Sequence, residues 1–188
     1  MFGRGSGLVG VWVGEGSCFH RRLHVLDSGL NSTSTSRSPF EDPLVRGMFF
    51  NLGLGTGKRQ LIRAVVEGLA YNKRMLLEAQ GRKVVTSATL RFAGGGALSD
   101  ETCRILADVT GRAVEPVSDP QNAGAAGAAL VAAVGLGRFP DLDTAVATVT
   151  VRARFEPREE HRRVHERNYS VFKELYRANR ALFHRINS

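Results

Sequence analysis

The residues with the clearest capacity for chemistry are Gly94, Gly95 and Gly96, set in Arg91-Phe-Ala-Gly-Gly-Gly-Ala97. Three glycines in a row leave main chain bare, so a ligand can approach without meeting a Cβ. They follow an apolar stretch ending at Leu90 and Phe92 and precede Ser99, a natural helix N-cap. A tight turn is the plain alternative for such a run. Asp100 and Glu101 fall in the first turn of the helix that follows, where they suit the dipole but repel an anion. A triphosphate resting on that helix end is therefore disfavoured. A neutral adenosine lying over the glycines, with a polar side chain reaching ribose or base, fits better.

Other segments invite stronger chemistry and fail its requirements. Gly53-Leu-Gly-Thr-Gly-Lys58 looks like a phosphate-binding P-loop, but that motif needs Gly where Leu52 stands and Ser or Thr where Arg59 stands. The dinucleotide pattern fails too, because Lys58 takes the place of its third glycine. The plain reading is a turn leading into a helix. His161 and His165 share a helix face at metal-binding spacing, but Arg162 and Arg163 between them would repel a dication. They read as two solvated helix histidines. Gly124 and Gly127 interrupt a helix built of alanines, at about 1 kcal/mol each, which points to close packing against another element. Glu67 is spaced to pair with Arg63, Gly68 would permit a close helix contact, and Cys103 reads as a core thiol. No nucleophile–base pair and no carboxylate cluster suited to magnesium emerges, so no catalytic residue and no metal ligand is assigned.

These residues need elements to hold them. Periodicity predicts a helix over Arg59–Gln80, with Ile62, Val65, Val66, Leu69 and Leu76 inward and Gly81 as its stop. A strand lies within Lys83–Ala93. Ser99 starts a helix through Ile105, Leu106 and Val109 that Gly111 closes. A short strand at Ala113–Val117, a small-residue helix at Gln121–Leu136 and a long helix from Pro157 towards His184 complete the pattern. The last would bury Val164, Phe172, Leu175, Tyr176 and Phe183. Strands alternating with helices indicate an α/β lobe.

Composition sets the outer bounds. The chain has 188 residues, 43% of them hydrophobic, enough for a real core in one domain or lobe. Its 26 Lys and Arg against 18 Asp and Glu give a net charge of +8. The cations are spread along the chain and mixed with Glu156, Glu159, Glu160, Glu166 and Glu174 near the end, so they read as a solvated helix face instead of a nucleic-acid footprint. The longest nearly apolar run, Ala123–Leu136, is too short and too rich in Gly and Ala to span a membrane. Two cysteines, Cys18 and Cys103, make no disulfide framework, which favours a reducing cytoplasm. Val9, Val11 and Val13 alternate with small residues in a strand-like way, but the Ser/Thr-rich stretch up to Ser38 has no period and reads as linker or disorder.

Several segments in series resemble the C-terminal lobe of the FGGY carbohydrate kinases, nearest to xylulose kinases. They are Asp42-Pro-Leu-Val-Arg-Gly-Met-Phe-Phe-Asn-Leu-Gly53, Arg63-Ala-Val-Val-Glu-Gly-Leu-Ala-Tyr71, Phe92-Ala-Gly-Gly-Gly-Ala97, Ile105-Leu-Ala-Asp108 and Gly124-Ala-Ala-Gly-Ala-Ala129. The resemblance implies a partial actin-like ATPase (ribonuclease H-like) C-terminal lobe over residues 39–188, ending in a long helix. It implies that Gly94, Gly95, Gly96 and Ala97 line an adenosine site with Asp100 beside it, where some relatives carry a polar amide, and that the helix at Gly124 packs under the nucleotide subdomain. The implied reaction is transfer of the ATP γ-phosphoryl group to a sugar hydroxyl, D-xylulose foremost, with magnesium screening the phosphates. The family's general base and first phosphate loop belong to an N-terminal lobe that is not in this sequence. The chain alone is therefore expected to be inactive, with a non-catalytic nucleotide-binding or regulatory module as the rival reading. Residues 1–38 are expected to lie outside the family pattern, as a shifted frame, an alternative start or a divergent extension. A cleft face left bare would favour self-association.

Overall fold

The computed structural model describes residues 24–26 (backbone), 42–81 and 87–188. The readings made for Val9–Val13, Cys18 and the Ser/Thr-rich stretch lie outside the described residues, as does the first part of the stretch read as a strand from Lys83. Two compact units divide the chain: residues 1–86 with 159–188, and residues 87–158.

In the first unit, strand β1 (His24–Leu26) pairs antiparallel with β2 (Met48–Phe50), His24 facing Phe50. Two long helices dominate it: α1 (Lys58–Gly81) and the final helix α5 (Glu159–Asn187). Gly53–Lys58 is a turn, as expected: the Thr56 amide donates to the Gly53 carbonyl at 2.9 Å, and the Gly53 amide to Thr56 Oγ1 at 3.0 Å. The inward face of α1 departs from the periodicity. Ala64, Glu67, Ala70 and Tyr71 are buried, whereas Ile62 is 55% exposed. The physical reason is polar: the two helices are joined by hydrogen bonds that an apolar stripe does not announce. The Tyr71 hydroxyl meets His165 Nδ1 at 2.9 Å, Tyr169 donates to Glu78 at 2.7 Å, and Arg74 pairs with Glu166 at 2.8 Å. Arg63 pairs with the buried Glu67 at 2.7 Å, as its spacing suggests. Burial lifts the Tyr71 phenol well above its ordinary range, with Glu67 adding to the effect. His165 is thus a buried core group hydrogen-bonded to Tyr71, and the expectation that both helix histidines are solvated is corrected for it. On α5, Phe172 and Leu175 are buried as expected, joined by Tyr169 and Asn168.

The second unit is a βαβ arrangement. Strands β3 (Thr89–Phe92) and β4 (Ala113–Pro116) run parallel, Thr89 opposite Ala113 and Phe92 opposite Pro116. The crossover between them contains a 3-10 turn (Gly95–Leu98) and helix α2 (Asp100–Thr110). Both ends of α2 carry the caps its sequence announces. Ser99 Oγ accepts from the Thr102 amide at 3.3 Å, and Gly111 closes the helix in the left-handed region at φ 66°. Cys103, Ile105, Leu106, Ala107 and Val109 form the buried face against the sheet, so Cys103 is the core thiol expected. The unit continues through α3 (Ala123–Gly135) and α4 (Leu142–Val146). Here the structure corrects the packing argument. α3 has no buried residue, and a Cβ at Gly124 or Gly127 would meet nothing within 4 Å. Among the described residues the helix meets only α4 appreciably, and no neighbour stands close to its glycines.

Candidate nucleotide loop

The loop Ala93–Ser99 leaves the C-terminal end of β3, the edge of a parallel α/β sheet at which ligands commonly bind. Its geometry is held from several sides. Gly94 sits at φ 88°, a conformation only glycine adopts without strain, and its amide donates to the Pro120 carbonyl at 2.7 Å. The Ala97 amide returns to the Gly94 carbonyl at 3.0 Å, and the Ser99 amide to the Gly96 carbonyl at 3.3 Å. Gly95 and Gly96 are exposed, and they open the 3-10 turn, where a helix has no carbonyl of its own to offer their amides.

The glycines are not equivalent. A Cβ at Gly95 would meet nothing within 4 Å, so that position is open to a ligand face. At Gly96 it would stand 3.1 Å from Phe92 Cζ, so the ring of the preceding strand backs the loop there. Ala97 is fully buried. Its carbonyl lies 3.9 Å from Cys103 Sγ, and burial raises the Cys103 thiol above its usual value.

Asp100 is exposed at the start of α2, and its carboxylate is engaged. Arg152 Nη1 donates to Asp100 Oδ1 at 2.7 Å while Arg152 Nη2 donates to the Ala97 carbonyl at 2.8 Å. Arg104 stands 3.9 Å from Asp100 and 4.0 Å from Glu101. Two acids at the helix start thus face two guanidinium groups, and the repulsion of an anion argued from Asp100 and Glu101 alone is offset. Arg152 does not stand out in the sequence. Its only signal was that two adjacent acids want a counter-charge, and 26 lysines and arginines offer no way to choose one.

The arrangement leaves the main chain at Gly95 and Gly96 exposed and tethers the loop through hydrogen bonds at Gly94, Ala97 and Ser99. It supplies no acid–base pair at the loop.

The pattern of the FGGY family of carbohydrate kinases, C-terminal domain, matches residues 15–136, reaching back into the stretch expected to lie outside it. A glycerol kinase of Photorhabdus laumondii is 34% identical over 134 residues, covering 70% of this chain and 26% of that protein. A xylulose kinase of Staphylococcus epidermidis is 29% identical over 147 residues, covering 78% and 29%. The crystal structure of xylulose kinase from Rhodospirillum rubrum superimposes with a TM-score of 0.67 at 29% identity, over 78% of this chain and 29% of that one. The chain therefore spans between a quarter and a third of the length of these relatives. Its fold is that of the actin-like kinases, and the chain belongs to the FGGY family of carbohydrate kinases, of which it carries the C-terminal domain.

Proposed function

We propose that this chain is the nucleotide-binding part of an ATP-dependent carbohydrate kinase, with the purine nucleoside lying across Gly94–Gly96 and Asp100 beside it. The observation that carries the reading is the open position at Gly95, where bare main chain at the end of β3 has nothing within 4 Å of a Cβ. Ala97 is buried in the turn, and Phe92 backs Gly96.

Bound ATP supplies the phosphoryl group that passes to an acceptor hydroxyl. The chain's own residues bind and orient the nucleoside end, so that the phosphates point away from the loop toward the acceptor. Positioning of that kind accounts for much of the barrier reduction in phosphoryl transfer. The loop offers a single carboxylate, Asp100, which is ion-paired with Arg152, too few oxygen ligands for magnesium, and we assign the metal and the base that activates the acceptor to residues outside the loop. The acceptor we assign is D-xylulose, on the likeness to xylulose kinases in sequence and fold; glycerol is its competitor, because a glycerol kinase is similar to the same degree. Among the described residues no helix is long and apolar enough to cross a membrane, and a cytoplasmic setting suits an ATP-consuming kinase.

Calorimetric titration of the chain with a non-hydrolysable ATP analogue tests the reading. Binding that Gly95→Val removes, with the fold intact, is expected. Equal affinity in both proteins overturns the placement. Assays with ATP and either D-xylulose or glycerol should show no acceptor-dependent ADP release by the chain alone. Robust turnover would contradict the assignment of the base elsewhere.

A further inference from the structure

Arg152 stands 55 residues along the chain from Ala97 and 52 from Asp100, yet it closes the loop. Its backbone is pinned at the end of β4: the Arg152 amide donates to the Pro116 carbonyl at 3.0 Å, and neighbouring Val151 bridges Val117. Val117 in turn donates to the Phe92 carbonyl at 3.0 Å, which ties this strand end to the residue that backs Gly96. From that anchored base the planar guanidinium spans two acceptors on opposite sides of the Ser99 cap. One is the last buried carbonyl of the glycine turn and the other the first carboxylate of α2. With one bond made by each terminal nitrogen, Arg152 links the glycine turn to the first turn of α2.

We propose that Arg152 is the positioning residue of the nucleotide loop, fixing the Gly94–Ala97 backbone in the shape a nucleoside lies against. The inference rests on the nucleotide reading above and adds to it a residue that does its work through others. A guanidinium fork can hold two acceptors in one plane, which a lysine ammonium cannot reproduce. Arg154 is the natural control: it lies two residues on, carries the same charge, and pairs with Glu115 at 2.8 Å and with Glu156 instead of with the loop.

The test compares adenosine and ADP binding to the unaltered chain, Arg152→Ala, Arg152→Lys and Arg154→Ala, with amide hydrogen exchange read across Gly94–Thr102. Arg152→Ala should weaken adenosine and ADP alike, by about fivefold or more, as expected for loss of a hydrogen bond that shapes the site. Its Ala97 and Ser99 amides should exchange faster while the thermal midpoint stays close to that of the parent. Arg152→Lys should lose nearly as much, and Arg154→Ala should stay within about twofold of the parent. Adenosine affinity unchanged in Arg152→Ala, a loss confined to ADP, or full function in Arg152→Lys would each overturn the positioning role while leaving the nucleotide site standing. If neither adenosine nor ADP binds the unaltered chain, the nucleotide reading itself has failed and the inference falls with it.

Discussion

Helices α2 and α3 belong to the same unit and have similar lengths, 11 and 13 residues, yet they stand at opposite ends of the burial range. α3 is by far the more apolar by composition and buries no residue; α2 mixes four charged side chains with its apolar ones and buries six residues, Asp108 among them. The difference teaches that burial follows the partner and the pattern, not the share of apolar residues. α2 presents one apolar face to a parallel strand pair and keeps Arg104 and Glu101 outside. α3 is apolar all round and has no stripe to direct it. The same contrast runs through the caps: Ser99 holds a free amide at the start of α2, whereas Asn122 at the start of α3 turns its side chain to Asp119 at 2.9 Å.

The largest expected effect is on the two apolar faces. Ile105→Ala in α2, where the side chain is 1% exposed, should destabilise the unit by about 2–5 kcal/mol. Val131→Ala in α3, where it is 60% exposed, should change stability by no more than about 0.5 kcal/mol. Urea unfolding followed by circular dichroism measures both, and equal losses would break the comparison.

A second prediction comes from the other unit and sharpens the contrast by its pH dependence. Buried Asp42 accepts from Tyr176, Arg180 and His184 on α5 and from the Leu44 amide. Burial pushes its carboxyl up, but the bonds from His184, Leu44 and Tyr176 outweigh this and hold it below the usual carboxylate value. A depressed carboxyl stabilises the fold above its unfolded value and loses that contribution as pH falls through its folded one. The unfolding midpoint should therefore drop below about pH 4 in the parent, and Asp42→Asn should flatten that drop while costing about 1–3 kcal/mol at neutral pH. A parallel acid profile in the two proteins would contradict the assignment.

Glycines should respond with opposite signs. Gly127→Ala in α3 meets open space and should stabilise the helix by about 1 kcal/mol. Gly111→Ala at φ +66° should destabilise α2 by about 1 kcal/mol, because a Cβ there crowds the following carbonyl. The smallest difference lies at the caps: Ser99→Ala should cost about 1 kcal/mol and Asn122→Ala only a few tenths. Differential scanning calorimetry resolves the order, and a larger loss at Asn122 would reverse the reading of the two helix starts.

What the chain discloses in sequence follows the range of the interaction. The Ser99 cap, the Gly111 stop, the Arg63–Glu67 pair and the glycine run all depend on residues within about one helical turn, and each was legible. The buried side of α1 was not. Tyr71 faces inward because its hydroxyl meets His165, 94 residues away, and no helical period encodes such a partner. Arg152 escaped for the same reason, since its two acceptors lie half a hundred residues earlier. The α3 glycines misled because a lack of bulk permits a close neighbour without supplying one.

Amide hydrogen exchange of the whole chain with and without ADP tests the central claim most directly. The account predicts slowed exchange concentrated at Gly94–Ser99, with Gly53–Lys58 and α3 unchanged. Slowed exchange at Gly53–Lys58 with the Gly94–Ser99 amides unaffected would contradict it.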